Sequence, residues 1–176
     1  QPQHQNQPKP EPDILGALGR TVMVSNYTRF DKVTDALRRY TPNLIGMVMG
    51  VPALRAVFDE SYYGDVRGGL LEGLGRLFQG KTKILVHPTV DEEGSIVTAD
   101  PLEVPQAIRS LYRYCLESRA LETIRDFDPR GLHVTPRDVL HKIQTGDPSW
   151  ESEVPPTAAA IIKEKGLFSL RHAPAR

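Results

Sequence analysis

The sequence predicts an α/β fold, with a short, mostly parallel sheet and flanking helices in the N-terminal part and a helical C-terminal part. Short β-branched or apolar runs alternate with helical patterns in the first half of the chain, as in βαβ units. The second half has only helical periodicity. With 176 residues, of which 39% are apolar, the chain is long enough to bury a core.

The first predicted βαβ unit begins near residue 21. Residues Thr21–Ser25 form a β-branched run that predicts a strand. Apolar residues then recur at helical spacing over Asp31–Tyr40, which predicts a helix. Residues Leu44–Met49 are apolar throughout, as in a strand that is buried on both faces.

A second set of alternating elements follows. Pro52 suits the first turn of a helix, and a further short helix is predicted over Leu70–Phe78. The clearest strand pattern is Lys83–His87, and a short strand is expected near Val97, after a turn at residues 91–94.

The C-terminal part is predicted to be helical. Apolar residues lie on one stripe over Pro105–Phe127, which predicts a helix of about six turns. Thr135 and Asp147 each precede a proline, a pattern typical of helix starts. A last helix is predicted from Pro155 to Gly166.

Both ends are predicted to be tails around a single domain over residues 14–170. Residues 1–13 contain four Gln, four Pro and no large apolar side chain, so we expect a disordered tail or one draped over a partner. Residues 171–176 form a small basic tail. The chain opens at Gln1 without an initiator Met; a cleaved targeting peptide is one explanation, and removal of residues in another way is the alternative. The corresponding expectation is a mitochondrial location, and otherwise a cytoplasmic one.

Composition argues against several classes of function. Lys and Arg number 22 and Asp and Glu number 22, so the chain lacks the basic excess of a nucleic-acid binder. No apolar run is long enough to span a bilayer. The one cysteine excludes an internal disulfide, and His133 and His141 have no further ligands at metal-site spacing. We therefore expect no metal, no cofactor and no nucleic acid.

One motif matches a phosphate-binding pattern. Gly75, Gly80, Lys81 and Thr82 satisfy G-x-x-x-x-G-K-S/T. A P-loop needs a strand before the loop and a helix after it, so that backbone amides face the phosphates. The predicted order here is helix, loop, strand, so the match predicts an ordinary turn.

The carboxyl ends of the predicted parallel strands could form a small ligand pocket, because such ends meet at one edge of a sheet. The candidate binding residues are Asn26, Tyr27, Arg29, Gly50 and His87. They would supply amide, aromatic, cationic and titratable groups to a nucleotide or metabolite. In the alternative interpretation, Asn26 and Thr28 cap the next helix and His87 is a hydrogen-bonded residue at a strand end. No residue is predicted to be catalytic.

Long blocks of the chain resemble a known family. The blocks are VSNYTRFDKVTDALRRYT, IGMVMGVPALRAVFDESYY, GGLLEGLGRLF, RDVLHKIQTGDPSWESEVPP and IIKEKGLF. They resemble the C-terminal region of longer bacterial proteins labelled nicotinamide- or nicotinate-nucleotide adenylyltransferase-like. The resemblance runs from about Thr21 to Phe168 and implies a related fold.

The resemblance does not extend to the catalytic motifs. Adenylyltransferases of that class carry H-x-G-H and S-x-T-x-x-R; the first is absent here, and Thr28 and Arg29 match only a fragment of the second. The sequence therefore predicts a non-catalytic accessory module of a larger assembly, with other protein subunits as partners, and the expected assembly is a mitochondrial complex. The alternative is a small-molecule or nucleotide-binding domain related to those proteins.

Overall fold

A three-stranded parallel sheet with helices is the main feature of the computed structural model, which describes residues 11–168, with side chains from residue 14. In chain order the helices and strands are α1 (Glu11–Ala17), α2 (Phe30–Arg38), β1 (Ile45–Gly50), α3 (Val51–Val57), α4 (Gly69–Leu77), β2 (Thr82–His87), β3 (Thr89–Val90), β4 (Ile96–Val97), α5 (Arg109–Glu117), β5 (Leu121–Thr123), α6 (Pro136–Thr145) and α7 (Pro156–Lys165). Short 3-10 helices cover Glu60–Tyr63, Gln106–Ile108, Pro129–His133 and Pro148–Ser152. The predicted α/β fold class is confirmed.

The chain groups into two compact units. One comprises Gln1–Ser25 with Val134–Arg176, and the other is Asn26–His133. Helix α1 begins inside the tail predicted for residues 1–13, of which residues 1–10 lie outside the described part. The predicted basic tail 171–176 lies outside it as well.

The sheet of the Asn26–His133 unit has the order β1-β2-β5, with both pairs parallel. Ile45 lies opposite Thr82, and Ile84 lies opposite Leu121. Strands β3 and β4 form a separate antiparallel hairpin, whose turn places Gly94 at a φ of 82°.

The core lies on one face of this sheet. Ile84, Val86 and Leu121 are at most 1% exposed and pack in one cluster with buried residues of α3, α4 and α5. The strand order explains why. The chain moves from β1 to β2 to β5 in one direction, so two right-handed crossovers place their helices on the same face. The other face receives no helix from these crossovers.

The strand predicted at Thr21–Ser25 is wrong. These residues have no regular secondary structure, and Met23 and Val24 are 65% and 68% exposed. A β-branched run becomes a strand only where it finds a neighbouring strand and a surface to pack on. Nothing in the described part of the chain pairs with it.

The long helix predicted over Pro105–Phe127 is also wrong. Helix α5 ends at Glu117, and Arg119 adopts the left-handed conformation with a φ of 59°. The chain then reverses into β5, where the Ile84 amide donates to the Ala120 carbonyl at 2.8 Å and Leu121 is buried. In this segment, pairing of β5 with β2 outweighs the helical spacing of the apolar residues.

The other unit contains α1, α6 and α7. Trp150, Ala159 and Ile162 form its core. The predicted start of α6 is confirmed, because the Thr135 hydroxyl accepts from the Asp138 amide at 3.1 Å. The predicted end of α7 is confirmed at Gly166, with a φ of 58°.

Candidate functional site

The outer edge of β1 has no partner strand within residues 11–168. The Ile45 amide donates to the Lys81 carbonyl at 2.8 Å, so the backbone groups of Ile45 face β2. The backbone amides and carbonyls of successive residues in a parallel strand point to opposite sides. Those of Gly46 and Val48 therefore point away from β2. No backbone hydrogen bond of the described residues uses these outward groups.

The sheet face opposite the core is only partly covered, and we call it the open face. It comprises Gly46, Val48, Lys83, Leu85 and Glu122. Val48 is 62% exposed. Leu85 is half-buried, and its Cδ1 lies 3.4 Å from the point where a Cβ on Gly46 would be. Parallel sheets are normally covered on both faces, so this exposure is unusual for the class.

The opposite edge, β5, is short and charged. It has three residues, and the Glu122 carboxylate there accepts from Lys83 Nζ at 2.6 Å and from Arg119 Nε at 3.3 Å. The hydrogen bond from Lys83, followed by that from Arg119, holds the pKa of Glu122 below its ordinary value. Charge and shortness are two devices by which proteins prevent pairing at a sheet edge.

Strand β1 has neither device. Its six residues read IGMVMG, without a charge or a proline. A six-residue apolar edge with open backbone groups is a template for another strand. The two edges of one sheet therefore differ in what they can bind.

Two of the predicted ligand-binding residues are brought together. Gly50 lies opposite His87 in the register of β1 and β2, at the carboxyl end of both strands. The His87 ring is exposed, and its Nδ1 lies 2.8 Å from the Pro88 carbonyl oxygen. Its ring centroid lies 6.4 Å from that of Phe127, in an edge-on arrangement. The hydrogen bond agrees with the alternative interpretation of His87.

The other three predicted ligand-binding residues do not lie at a strand end, because the strand expected before them does not form. Asn26 and Tyr27 are exposed residues without regular structure, and no hydrogen bond of residues 11–168 joins them to His87. Arg29 is bound elsewhere. Its Nη2 lies 2.7 Å from the fully buried Asp31 carboxylate, and this hydrogen bond raises the pKa of Arg29 above its ordinary value. The ligand pocket as a whole stays a prediction.

The motif that resembles a P-loop has the predicted order of elements. Helix α4 precedes it and strand β2 follows it, with Gly80 at a φ of 61° between them. The Thr82 hydroxyl, which a P-loop would offer to a metal ion, is buried and donates to the Gln79 carbonyl at 2.9 Å. Thr82 Oγ1 also accepts from Arg38 at 2.8 Å.

Other chemistry-bearing groups are few. In the described part of the chain, no three His, Cys, Asp or Glu side chains are placed to hold a metal ion. Burial raises the pKa of the Cys115 thiol to about 11, so this thiol is protonated at neutral pH. No helix within residues 11–168 has both the length and the apolar character to cross a membrane.

Comparison with known proteins gives no relative: no family model, no curated protein and no solved structure matches the chain.

Sequence reasoning predicted β1 itself but not that its edge and one face are uncovered. That property depends on the strand order and on the side that the helices occupy, both of which are long-range. One local signal was available. Glycines at positions 46 and 50 leave little side chain to cover the backbone of an apolar run that was expected to be buried.

Proposed function

We propose that the protein is a non-catalytic accessory module, which joins a larger protein assembly by accepting an extended segment of a partner chain along β1. The observation that carries this proposal is the contrast between the uncharged, unpaired edge of β1 and the charged, short edge of β5. The mitochondrial location and the family resemblance stay predictions.

The backbone of β1 favours a strand as the occupant. Amides and carbonyls at Gly46 and Val48 are strong hydrogen-bonding groups, and an added strand satisfies all of them at once. The six residues of β1 also match the usual length of a strand in globular proteins. The side chain beside this edge on the open face is Val48, so the partner segment should be apolar or β-branched where it passes Val48.

The proposed module is non-catalytic because one adenylyltransferase motif is absent and the matching arginine of the other is engaged in ion pairs. The H-x-G-H motif is absent from the sequence. Arg29, which belongs to the fragment of the second motif, forms ion pairs with Asp31 and Asp65.

The experiment compares edge variants in the source organism. Tagged wild type is fractionated from a native extract by size, and its complex is weighed by native mass spectrometry. Val48→Pro removes an outward amide, and Val48→Lys adds a charge of the kind that blocks edge pairing. We expect wild type in a complex much heavier than a dimer and both variants at the mass of the free chain.

Ile96→Lys is the matched control, because Ile96 is an exposed strand residue of the same unit but lies in the β3/β4 hairpin. It should keep the wild-type complex. The melting temperatures of the purified variants show that they fold. A folded Val48→Pro that stays in the heavy complex overturns the proposal, as does a wild type that runs only as monomer or homodimer.

A further inference from the structure

A groove between α4 and α5 is the second uncovered apolar surface of the Asn26–His133 unit. Its volume is about 720 Å³. The large apolar side chains that line it are Leu44, Leu71, Leu74, Phe78, Leu111 and Tyr114. Leu71 and Tyr114 are 70% and 65% exposed, so the groove is a trough open to solvent and not an enclosed pocket.

The charged groups that line the groove are all basic. They are Lys81, Lys83 and Arg119. Lys83 and Arg119 share one carboxylate, that of Glu122, and Lys81 forms no ion pair with any residue from 14 to 168. The groove therefore carries a surplus of positive charge beside its apolar wall.

The charge lies at one end of the groove. Each of α4 and α5 leads back to the start of a parallel strand, so the two helices run in the same direction and end near Lys81 and Arg119. Leu71, Leu74 and Phe78 lie along one side at helical spacing, over about 10 Å. A ligand of matching chemistry is apolar along its length and acidic at one end.

We propose that this groove, lined by Leu71, Phe78, Tyr114 and Lys81, is a docking site for an acidic amphipathic helix of a partner protein. The occupant is a helix because a third helix fits the space between two others with apolar side chains at i, i+3 or i+4, and i+7. A small ligand would be expected in a site that buries most of its surface, whereas the walls here are widely exposed. The residues differ from those at the edge of β1, so the two sites are tested separately.

The test uses the full chain and synthetic helical peptides. The first peptide has Leu at i, i+4 and i+7 and Glu residues in its terminal turn; the second has Lys in place of Glu. Binding is measured by fluorescence anisotropy of the labelled peptide. We expect saturable binding of the Glu peptide, at least tenfold weaker binding of the Lys peptide, and weakening of the Glu peptide as salt increases.

Three variants locate the site. Leu71→Lys and Lys81→Glu should each weaken the Glu peptide at least tenfold, and Lys81→Glu should strengthen the Lys peptide. Tyr40→Lys is the control, because Tyr40 is 86% exposed and does not line the groove. It should leave both affinities unchanged.

The proposal is overturned if no saturable binding is seen up to about 1 mM peptide, if the two peptides bind equally, or if Tyr40→Lys and Leu71→Lys weaken binding equally. Laurate is the last arm, because an acyl chain with a carboxylate has similar chemistry. If laurate binds the groove and the Glu peptide does not displace it, the site belongs to an anionic amphiphile and the helix is excluded.

Discussion

The two edges of the sheet show how differently one protein treats equivalent backbone. At β5 the strand is three residues long, and Glu122 is held between Lys83 and Arg119. At β1 the strand is twice as long and wholly uncharged. Because an unprotected edge invites pairing, proteins tend to retain one only where pairing is useful. This difference is the basis of the proposal that another chain pairs with β1.

The strongest test of this comparison places proline on neighbouring residues of β1. Met49 is 5% exposed and its amide faces β2, so Met49→Pro loses both a ladder hydrogen bond and apolar packing. We expect a loss of about 3 kcal/mol or more in the free energy of unfolding. Val48→Pro loses only an outward amide and should cost less than about 1 kcal/mol.

The unfolding of both variants by urea is followed by circular dichroism. Tryptophan fluorescence is not used, because Trp150, the single tryptophan, lies in the other unit. Equal losses in the two variants would mean that the Val48 amide is engaged within the chain. The edge of β1 would then not be free.

The second test removes the acidic charge at the β5 edge and adds a charge at the β1 edge. Glu122→Val removes the acid from β5 and adds a β-branched side chain, so we expect the purified variant to self-associate more than wild type. Val48→Lys should self-associate less than wild type. Sedimentation velocity at neutral pH compares the three proteins, and an unchanged Glu122→Val would show that charge does not protect β5.

Acidification tests the role of the Glu122 charge at the β5 edge. Since folding lowers the pKa of Glu122, its ion pairs contribute stability above the ordinary pKa of Glu, about 4.3, and lose it as pH falls through the lowered value. Below that range wild type should self-associate to the same extent as Glu122→Gln measured at the same pH. An NMR titration of the carboxyl group that gives an ordinary pKa would contradict this.

The smallest expected effect is at the carboxyl end of the strands. His87 is exposed and makes one hydrogen bond, so His87→Ala should cost about 0.5–1 kcal/mol and lower the melting temperature by a few degrees. We expect no mononucleotide at about 1 mM to raise the melting temperature of wild type. A rise that His87→Ala abolishes would favour the nucleotide-binding alternative over strand addition as the function.

Local sequence patterns predicted the elements whose signal lies within a few consecutive residues. Lys83–His87 and Leu44–Met49 were predicted as strands and match β2 and β1 closely, because each is apolar and bounded by turn residues. Strand β5 was missed, because it has only three residues and the reversal before it uses Arg119 and not a glycine. Its strand character comes from pairing with β2, which no local pattern records.

The candidate site depended still more on distant partners. The predicted pocket required Thr21–Ser25 to be a strand, and those residues remain unpaired, so Asn26 and Tyr27 have no strand end to extend. The exposed edge of β1 follows from the order of three strands spread over residues 45–123. Local patterns in a single sequence do not specify this strand order.

The division of the chain has a consequence for how the protein is made. The Asn26–His133 unit is continuous, so all of its residues are synthesised before Val134. The other unit cannot close until later, because Ile14 packs against a core that includes Trp150 and Ile162. Helix α1 is thus synthesised before the sheet, but it can pack against α7 only after the whole Asn26–His133 unit has been made.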